Sequence, residues 1–289
     1  SAASDVYKRQ YVYIQFGFIF AGENIPWTRR NIMLTGKKIV LGVSGGIAAY
    51  KMANVASMLS KLHADIHVVM TENATHFITP ETFEVLTGNH CYTDTFDRCM
   101  ELHVPHIALG TQADAILIAP ASADVVGKIA NGIADDMLTT CVLPATCPVM
   151  LAPSMNVHMY ENPIVQDNMK KLASYGYEII EADEGYLACR DIGKGKLPPE
   201  HVLVDYIIRA CAMDKDLAGK KVLVTAGATQ ESIDPVRYIT NHSTGKMGYA
   251  LARMAAFRGA EVTLVAGPTK LEDPLFVDMV KVVTAEDMY

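Results

Sequence analysis

KIVLGV at Lys38–Val43, running into SGGIAAYK at Ser44–Lys51, decides the architecture. The first segment is an apolar run behind one lysine, too short for a buried helix, and it reads as a strand covered on both faces. Ser44-Gly45-Gly46 makes a tight turn. Beyond it Ile47, Met52, Val55, Leu59 and Leu62 recur at helical spacing. Strand, glycine turn and amphipathic helix together open a βαβ unit.

The same alternation continues outward. Ile66–Met70 (IHVVM) and Ala115–Ala119 (AILIA) read as strands, the second followed by a turn at Pro120 and a helix through Ile129. Val149–Ala152 and Glu178–Glu181 supply two more strands, with a helix across Asn162–Ser174 between them. Pro198-Pro199-Glu200 opens a helix to about Met213, since proline suits a first helical turn. A polar, glycine-ended stretch follows at 214–219, and the pattern then restarts. Lys221–Thr225, a helix across Met247–Phe257, Glu261–Val265 and a last strand at Lys281–Val283 form a second unit. The expected fold is α/β: a doubly wound parallel sheet at 33–213, flavodoxin-like or Rossmann-like. A linker at 214–219 leads to the start of a second Rossmann-like α/β domain at 220–289, too short to be complete.

Residues 1–32 stand apart. Tyr11–Phe20 (YVYIQFGFIF), behind Lys8 and Arg9, is too short to span a bilayer as a helix. No small-x-small cleavage site follows it, and Met33 sits just ahead of the first strand, so this segment reads as upstream translated sequence or an expression remnant. The chain has 289 residues, suiting two domains. Half of them are hydrophobic and 20% charged, which excludes a disordered or fibrous chain. Lys and Arg number 25 against 32 Asp and Glu, a formal charge of −7, and no dense basic block offers a nucleic-acid footprint. Cys91, Cys99, Cys141, Cys147, Cys189 and Cys211 make no C-x-x-C pair and no zinc spacing. We therefore expect no metal, no membrane span, no nucleic-acid partner and a reducing, cytoplasmic setting.

In such sheets, ligands bind where strand ends meet helix N-termini. The loop Gly42–Lys51 suits an anion: its glycines admit close backbone approach, Ser44 offers a hydroxyl, and the helix start directs N–H groups outward. Lacking the G-x-G-x-x-G spacing, it reads equally as a packing turn. Pro120–Asp124 (PASAD) places small residues at a strand end, where a flat ring approaches the backbone. In Pro153–Tyr160 (PSMNVHMY), Asn156 can donate to a carboxylate and Met159 can cover an aromatic ring, although a lone Asn reads first as a cap. Gly185–Leu197 (GYLACRDIGKGKL) is a long glycine-rich loop carrying Cys189 beside Arg190 and near Lys194 and Lys196. Neighbouring cations lower a thiol pKa, making Cys189 the cysteine best placed to react, although most single cysteines are buried and inert. His103-Val104-Pro105-His106 is no metal pair, because its proline disfavours a helix aligning both rings; one of them suits acid–base work.

Taken in order from Met33 to the end, these motifs resemble those of a known family. It is that of the bifunctional bacterial proteins of coenzyme A biosynthesis, in which phosphopantothenoylcysteine decarboxylase is fused to phosphopantothenate–cysteine ligase. The resemblance implies FMN as cofactor. Ser44-Gly45-Gly46-Ile47-Ala48-Ala49-Tyr50-Lys51 is similar to the family's flavin phosphate loop, and Ser122-Ala123-Asp124 to its Ser-Ala-Asn flavin contact, with Asp124 in place of Asn. It also places Thr71 and Met159 against the cofactor. His106 falls on the family's active-site histidine. Pro153–Met159 is similar to its Pro-x-Met-Asn-x-x-Met motif, which puts Asn156 on the substrate carboxylate with Met155 beside it. Ala188-Cys189 to Lys196 is similar to the flap Ala-Cys-Gly-Asp-x-Gly-x-Gly-Arg, with Cys189 as its functional cysteine and Lys196 meeting substrate. Arg190 replaces a glycine of that motif, which alters the backbone angles available. Lys196 replaces its arginine, which keeps the charge and loses the bidentate fork.

Gly227–Glu231, Ile233–Arg237 and Thr240–Gly248 are similar to the ligase domain's opening motifs, which assigns Asn241, Ser243 and Lys246 to the ligase site. Gly245-Lys246 is no Walker A motif, because Thr240 takes the first glycine position and Met247 replaces Ser/Thr. The complete ligase domain uses CTP and Mg2+; its later nucleotide motifs lie past Tyr289, so this chain by itself is expected not to ligate. For the first domain the resemblance implies decarboxylation of 4′-phosphopantothenoyl-L-cysteine. With FMN bound, the substrate thiol is oxidised to a thioaldehyde, carbon dioxide leaves, and the ene-thiol is reduced and protonated to 4′-phosphopantetheine. His106 acts near the reacting thiol, Asn156 fixes the carboxylate and Cys189 supplies a proton. The family's flavin domains form trimers and larger shells, so a homo-oligomer acting on a small molecule is expected. A peptidyl-cysteine decarboxylase or flavin prenyltransferase would lack the ligase segment, and a non-catalytic regulatory flavoprotein would lack part of the His–Asn–Cys set.

Overall fold

A computed structural model describes residues 33–96, 104–186 and 191–289. The leader at 1–32, and Cys99, His103, Cys189 and Arg190, lie outside the described residues. Six strands form one parallel sheet: β1 Lys38–Val43, β2 Asp65–Met70, β3 Cys91–Tyr92, β4 Ala115–Ala121, β5 Val149–Pro153 and β6 Glu178–Ile179. Their order is β3-β2-β1-β4-β5-β6. With the two-residue β3 this is the dinucleotide-fold order, and without it the flavodoxin-like one. Both expected descriptions therefore hold.

Alternation explains why these runs are apolar throughout. Ile39, Leu41 and Val43 of β1 face the helices Lys51–Lys61 and Glu200–Ile207 through Met52, Val55, Leu59, Leu203 and Ile207. Val40 of β1, with Ile116 and Ile118 of β4, faces Val125, Val126, Leu138 and Cys141 on the other side. Helices on both faces leave the strand centres no solvated side, so those centres are predominantly apolar. Each fully buried Val, Leu or Ile contributes about 1.5–3 kcal/mol before ordering costs.

Several elements differ from expectation. Pro120 is no turn residue: β4 continues to Ala121, with a cis Ala119–Pro120 bond and a register irregularity between Ile118 and Ala121. A proline, having no N–H to give, is tolerated at such an irregularity. The stretch read as a long loop at 185–197 is largely an antiparallel hairpin, β7 Asp183–Tyr186 with β8 Ile192–Lys196, which glycine-rich composition concealed. The helices Pro80–Thr87, Pro105–Gln112 and Met137–Val142 had not been read. Pro105 sits in the first turn of its helix, where a missing N–H costs nothing, so it starts a helix that carries His106.

The second unit begins at β9 Lys221–Ala226, continues through the small hairpin of β10 Glu231–Ser232 and β11 Tyr238–Ile239, and returns by the helix Lys246–Phe257 to β12 Glu261–Ala266. β13 Asp278–Lys281 lies three residues earlier than expected, because Met279 rather than Val282 meets Leu264. The sheet order is β13-β12-β9, all parallel. Where the two units meet, Arg253 pairs with Asp205, and the Arg209 guanidinium lies 4.2 Å from the centroid of the Phe276 ring. Phe276 also meets Tyr206 edge-on at 4.7 Å.

Candidate active site

The strand order reverses between β1 and β4, and the carboxyl ends of β1, β2 and β4 open there into a cavity of about 440 Å³. That volume suits a small molecule or cofactor. Of the residues expected at a cofactor, Gly45, Thr71, Ser122, Ala123, Asp124 and Met159 line it. Gly45 has no room for a side chain, since a Cβ there would lie 2.5 Å from Asn73 Cβ. Glycine is what lets the turn pack on the segment after β2. Thr71 Oγ1 is buried in this wall without a hydrogen-bond partner among the described residues. Such an orphaned hydroxyl costs about 1–3 kcal/mol unless something binds it.

Ser44 and Gly46 do not line the cavity. Ser44 is fully buried; its hydroxyl donates to the Pro120 carbonyl at 2.7 Å and accepts from the Ser122 N–H at 2.9 Å. It clamps the ends of β1 and β4 together instead of offering an oxygen to an anion. Ser122 in turn caps the helix Ala123–Ala130, accepting from Val125 N at 3.3 Å.

Six lining residues were missed: Glu72, Asn73, Val125, Lys128, Asp135 and Asp136. Asn73 forms one wall, while Lys128 reaches three carboxylates: Asp124 at 3.3 Å, Asp135 at 3.0 Å and Asp136 at 3.5 Å. The Asp135 hydrogen bond, opposed by burial and reinforced by Asp124, holds the ammonium above the ordinary lysine range. Lys128 and Asp124 are four residues apart on one helix, so their meeting was readable from spacing. Asp136 caps the next helix in a box with Thr139, a pattern also visible in sequence.

Asn156 follows β5 and caps the turn Val157–Tyr160: its Oδ1 accepts from His158 N at 2.8 Å. Its Nδ2 donates to Asp191 Oδ2 at 2.9 Å. It is thus the expected cap, and the other end of its amide is held by a carboxylate of the protein itself. The β7–β8 hairpin brings Asp191 there. Met155 N–H donates to Gly195 O at 3.0 Å, and a Cβ on Gly195 would lie 2.4 Å from the Met155 carbonyl oxygen. Met159, three residues beyond Asn156, lines the cavity, so one short segment joins the two expected sites. Lys196 ends the hairpin, exposed.

His106 lies in the first turn of its helix, its Nδ1 buried and without a hydrogen-bond partner among the described residues, and it does not line the cavity. Burial pushes the thiols of Cys91 and Cys141 up to about 12 and that of Cys211 to about 11, and raises Cys147 as well. None of these four supplies a thiolate at neutral pH. In the second unit, Asn241 and Ser243 precede the helix Lys246–Phe257, which Lys246 opens. Asn241 Oδ1 accepts from Ser243 N at 2.8 Å, and Gly245 takes a positive φ of 76° to start the helix. Among the described residues, no group of His, Cys, Asp or Glu could hold a metal ion, and no helix is long and apolar enough to cross a membrane.

A doubly wound sheet with a glycine turn and a cavity at its switch point defines a nucleotide-cofactor-binding α/β protein. Residues 28–212 match the Flavoprotein family, and the chain belongs to it. Residues 217–289 match the DNA/pantothenate metabolism flavoprotein C-terminal domain. The coenzyme A biosynthesis bifunctional protein CoaBC of Bacillus subtilis (strain 168) is 48% identical over 259 residues, covering 89% of this chain and 64% of its own length. This chain thus spans less than two thirds of that relative. Among solved structures, a PPC decarboxylase mutant complexed with pantothenoylaminoethenethiol is 30% identical with a TM-score of 0.53, covering 59% of this chain and 96% of that one. The FMN-dependent cysteine decarboxylase SpaF is 33% identical with a TM-score of 0.52, covering 60% and 98%.

Proposed function

We propose that residues 33–213 form an FMN-dependent decarboxylase acting on 4′-phosphopantothenoyl-L-cysteine, the step that yields 4′-phosphopantetheine in coenzyme A biosynthesis. The observation that carries this reading is the segment Asn156–Met159, which ties a carboxylate-binding amide to the wall of a cofactor-sized cavity. The residues fit FMN. Thr71 brings an orphaned hydroxyl, and the Gly45 turn a surface without side chains. Bound there, FMN supplies the electron sink that a cysteine-derived carbanion lacks.

The chain's own groups do the rest. Asn156 donates to the departing carboxylate and orients it. His106 holds or moves a proton near the substrate thiol through its ring nitrogens. Cys189 is assigned the final proton delivery. That accords with the burial of the four described thiols, whose raised pKa values keep them inert. Lys196 and Met155 flank the substrate. Residues 220–289, joined through 214–219, contribute Asn241, Ser243 and Lys246 to a ligase site that uses CTP and Mg2+ in a complete domain. A cytoplasmic homo-oligomer, trimeric or larger, is the expected setting. Purified chain loaded with FMN should convert the substrate to 4′-phosphopantetheine, while Cys189→Ser consumes substrate without forming that product. Pantetheine formation by the variant at the wild-type rate contradicts the role of Cys189, and no conversion by the loaded wild type contradicts the reaction.

A further inference from the structure

Asn156 is gripped at both ends of its amide. The backbone N–H of His158 can only donate, so Oδ1 must face it, at 2.8 Å. An ionised Asp191 can only accept, so Nδ2 must face it, at 2.9 Å. A planar amide held this way has one orientation, and with it one direction for both Nδ2 protons. Turned over, the group would present an oxygen to a carboxylate substrate and repel it.

The placement of Asp191 is itself enforced. It immediately precedes β8, and β8 lies against the Asn156 segment at two glycines. A Cβ at Gly193 would lie 2.6 Å from Val157 Cγ2, and one at Gly195 2.4 Å from the Met155 carbonyl oxygen. The Met155 N–H to Gly195 O bond fixes the register.

We propose that Asp191 is a positioning residue for the decarboxylation: its hydrogen bond to Nδ2 sets the Asn156 amide to donate, never to accept, at the substrate carboxylate. This rests on the function proposed above. It predicts discrimination between a substrate that carries the carboxylate and a product that has lost it. A disordered or reversed donor forfeits one charge-assisted hydrogen bond to the substrate, about 10- to 100-fold in affinity, and nothing to the product.

The test uses FMN-loaded wild type, Asp191→Ala, Asp191→Asn, Asn156→Ala and the Asp191→Ala/Asn156→Ala double variant. KM and kcat for 4′-phosphopantothenoyl-L-cysteine are measured beside the inhibition constant of 4′-phosphopantetheine. The expected result is a KM raised about 10- to 100-fold in Asp191→Ala with the product constant within about twofold of wild type. In the Asn156→Ala background, Asp191→Ala should add nothing, since it acts through that amide. Asp191→Asn keeps the side-chain volume and should lose less, about 3- to 10-fold, because its amide presents either end. It keeps the test decisive should the alanine variant fail to fold. Equal weakening of substrate and product, independent effects that multiply in the double variant, or unchanged or tighter substrate binding would each overturn the assignment. A wild type that releases no carbon dioxide overturns the functional reading itself. Wild-type turnover with indifferent Asp191 variants overturns only this proposal.

Discussion

Replacing Gly45 by alanine should separate cofactor binding from folding, with its neighbour as control. The new Cβ would lie 2.5 Å from Asn73 Cβ and 3.0 Å from the Asn73 carbonyl carbon. Unstrained carbon contacts are about 3.5–4.0 Å, so the turn and the segment after β2 must part by about 1 Å. Overpacking of this kind costs about 1–3 kcal/mol. Both residues wall the cavity, so the cofactor loses its cradle to a similar extent, about 5- to 150-fold in Kd for FMN. Gly46 is the contrast. A Cβ there meets only Pro120 Cγ at 3.8 Å, an ordinary contact, and its φ of −176° is extended backbone open to any residue. Gly46→Ala should therefore bind FMN within about twofold of wild type. Titration of apoprotein by flavin fluorescence, beside urea unfolding of each variant, reads both effects. A Gly45→Ala protein that binds FMN like wild type, or a Gly46→Ala protein that loses as much, refutes this account of the cavity.

Ser44→Ala leaves the Ser122 N–H without its partner and the Pro120 carbonyl with only the longer bond from the residue-44 N–H at 3.3 Å, and urea unfolding should show a loss of about 1–3 kcal/mol. FMN affinity then falls only as far as β4 shifts, because the hydroxyl does not face the cavity; a larger loss of FMN than of stability would contradict the clamp. Asp114 accepts from Lys38 N at 2.9 Å and Lys37 Nζ at 3.0 Å. Burial opposes these contacts, yet together they hold its carboxyl below the ordinary 3.8. Its contribution, about 1 kcal/mol after solvent screening, is complete above pH 3.8 and lost as pH falls through the depressed folded value. The stability gap between wild type and Asp114→Asn should be constant from neutrality to about pH 5 and close at lower pH. A gap independent of pH would rule out the carboxylate as its source.

Periodicity carried the fold a long way, since strands buried on both faces leave an apolar run that no other element produces at that length. It failed where composition and structure part company. Gly185, Gly193 and Gly195 look like loop residues, yet two of them are small because β8 lies directly on Met155 and Val157. Helices such as Met137–Val142 are too short for a period to register. At the site, glycine and small-residue motifs located the cavity from sequence. They could not say which group of Ser44 faces it, because that depends on how β1 and β4 diverge. The contact of Asp191 with Asn156 was invisible for a similar reason: the two lie 35 residues apart, and only hairpin docking joins them.

The central claim, that Asn156 binds a carboxylate which leaves beside the cofactor cavity, is tested most directly by carbon dioxide release. FMN-loaded wild type and Asn156→Leu are given carboxyl-labelled 4′-phosphopantothenoyl-L-cysteine, with flavin content verifying that each is folded. The account predicts labelled carbon dioxide in equal amount to 4′-phosphopantetheine from the wild type, and release from Asn156→Leu lowered by about two orders of magnitude or more, the scale of losing a charge-directed donor in a closed site. Release from Asn156→Leu at the wild-type rate would contradict it.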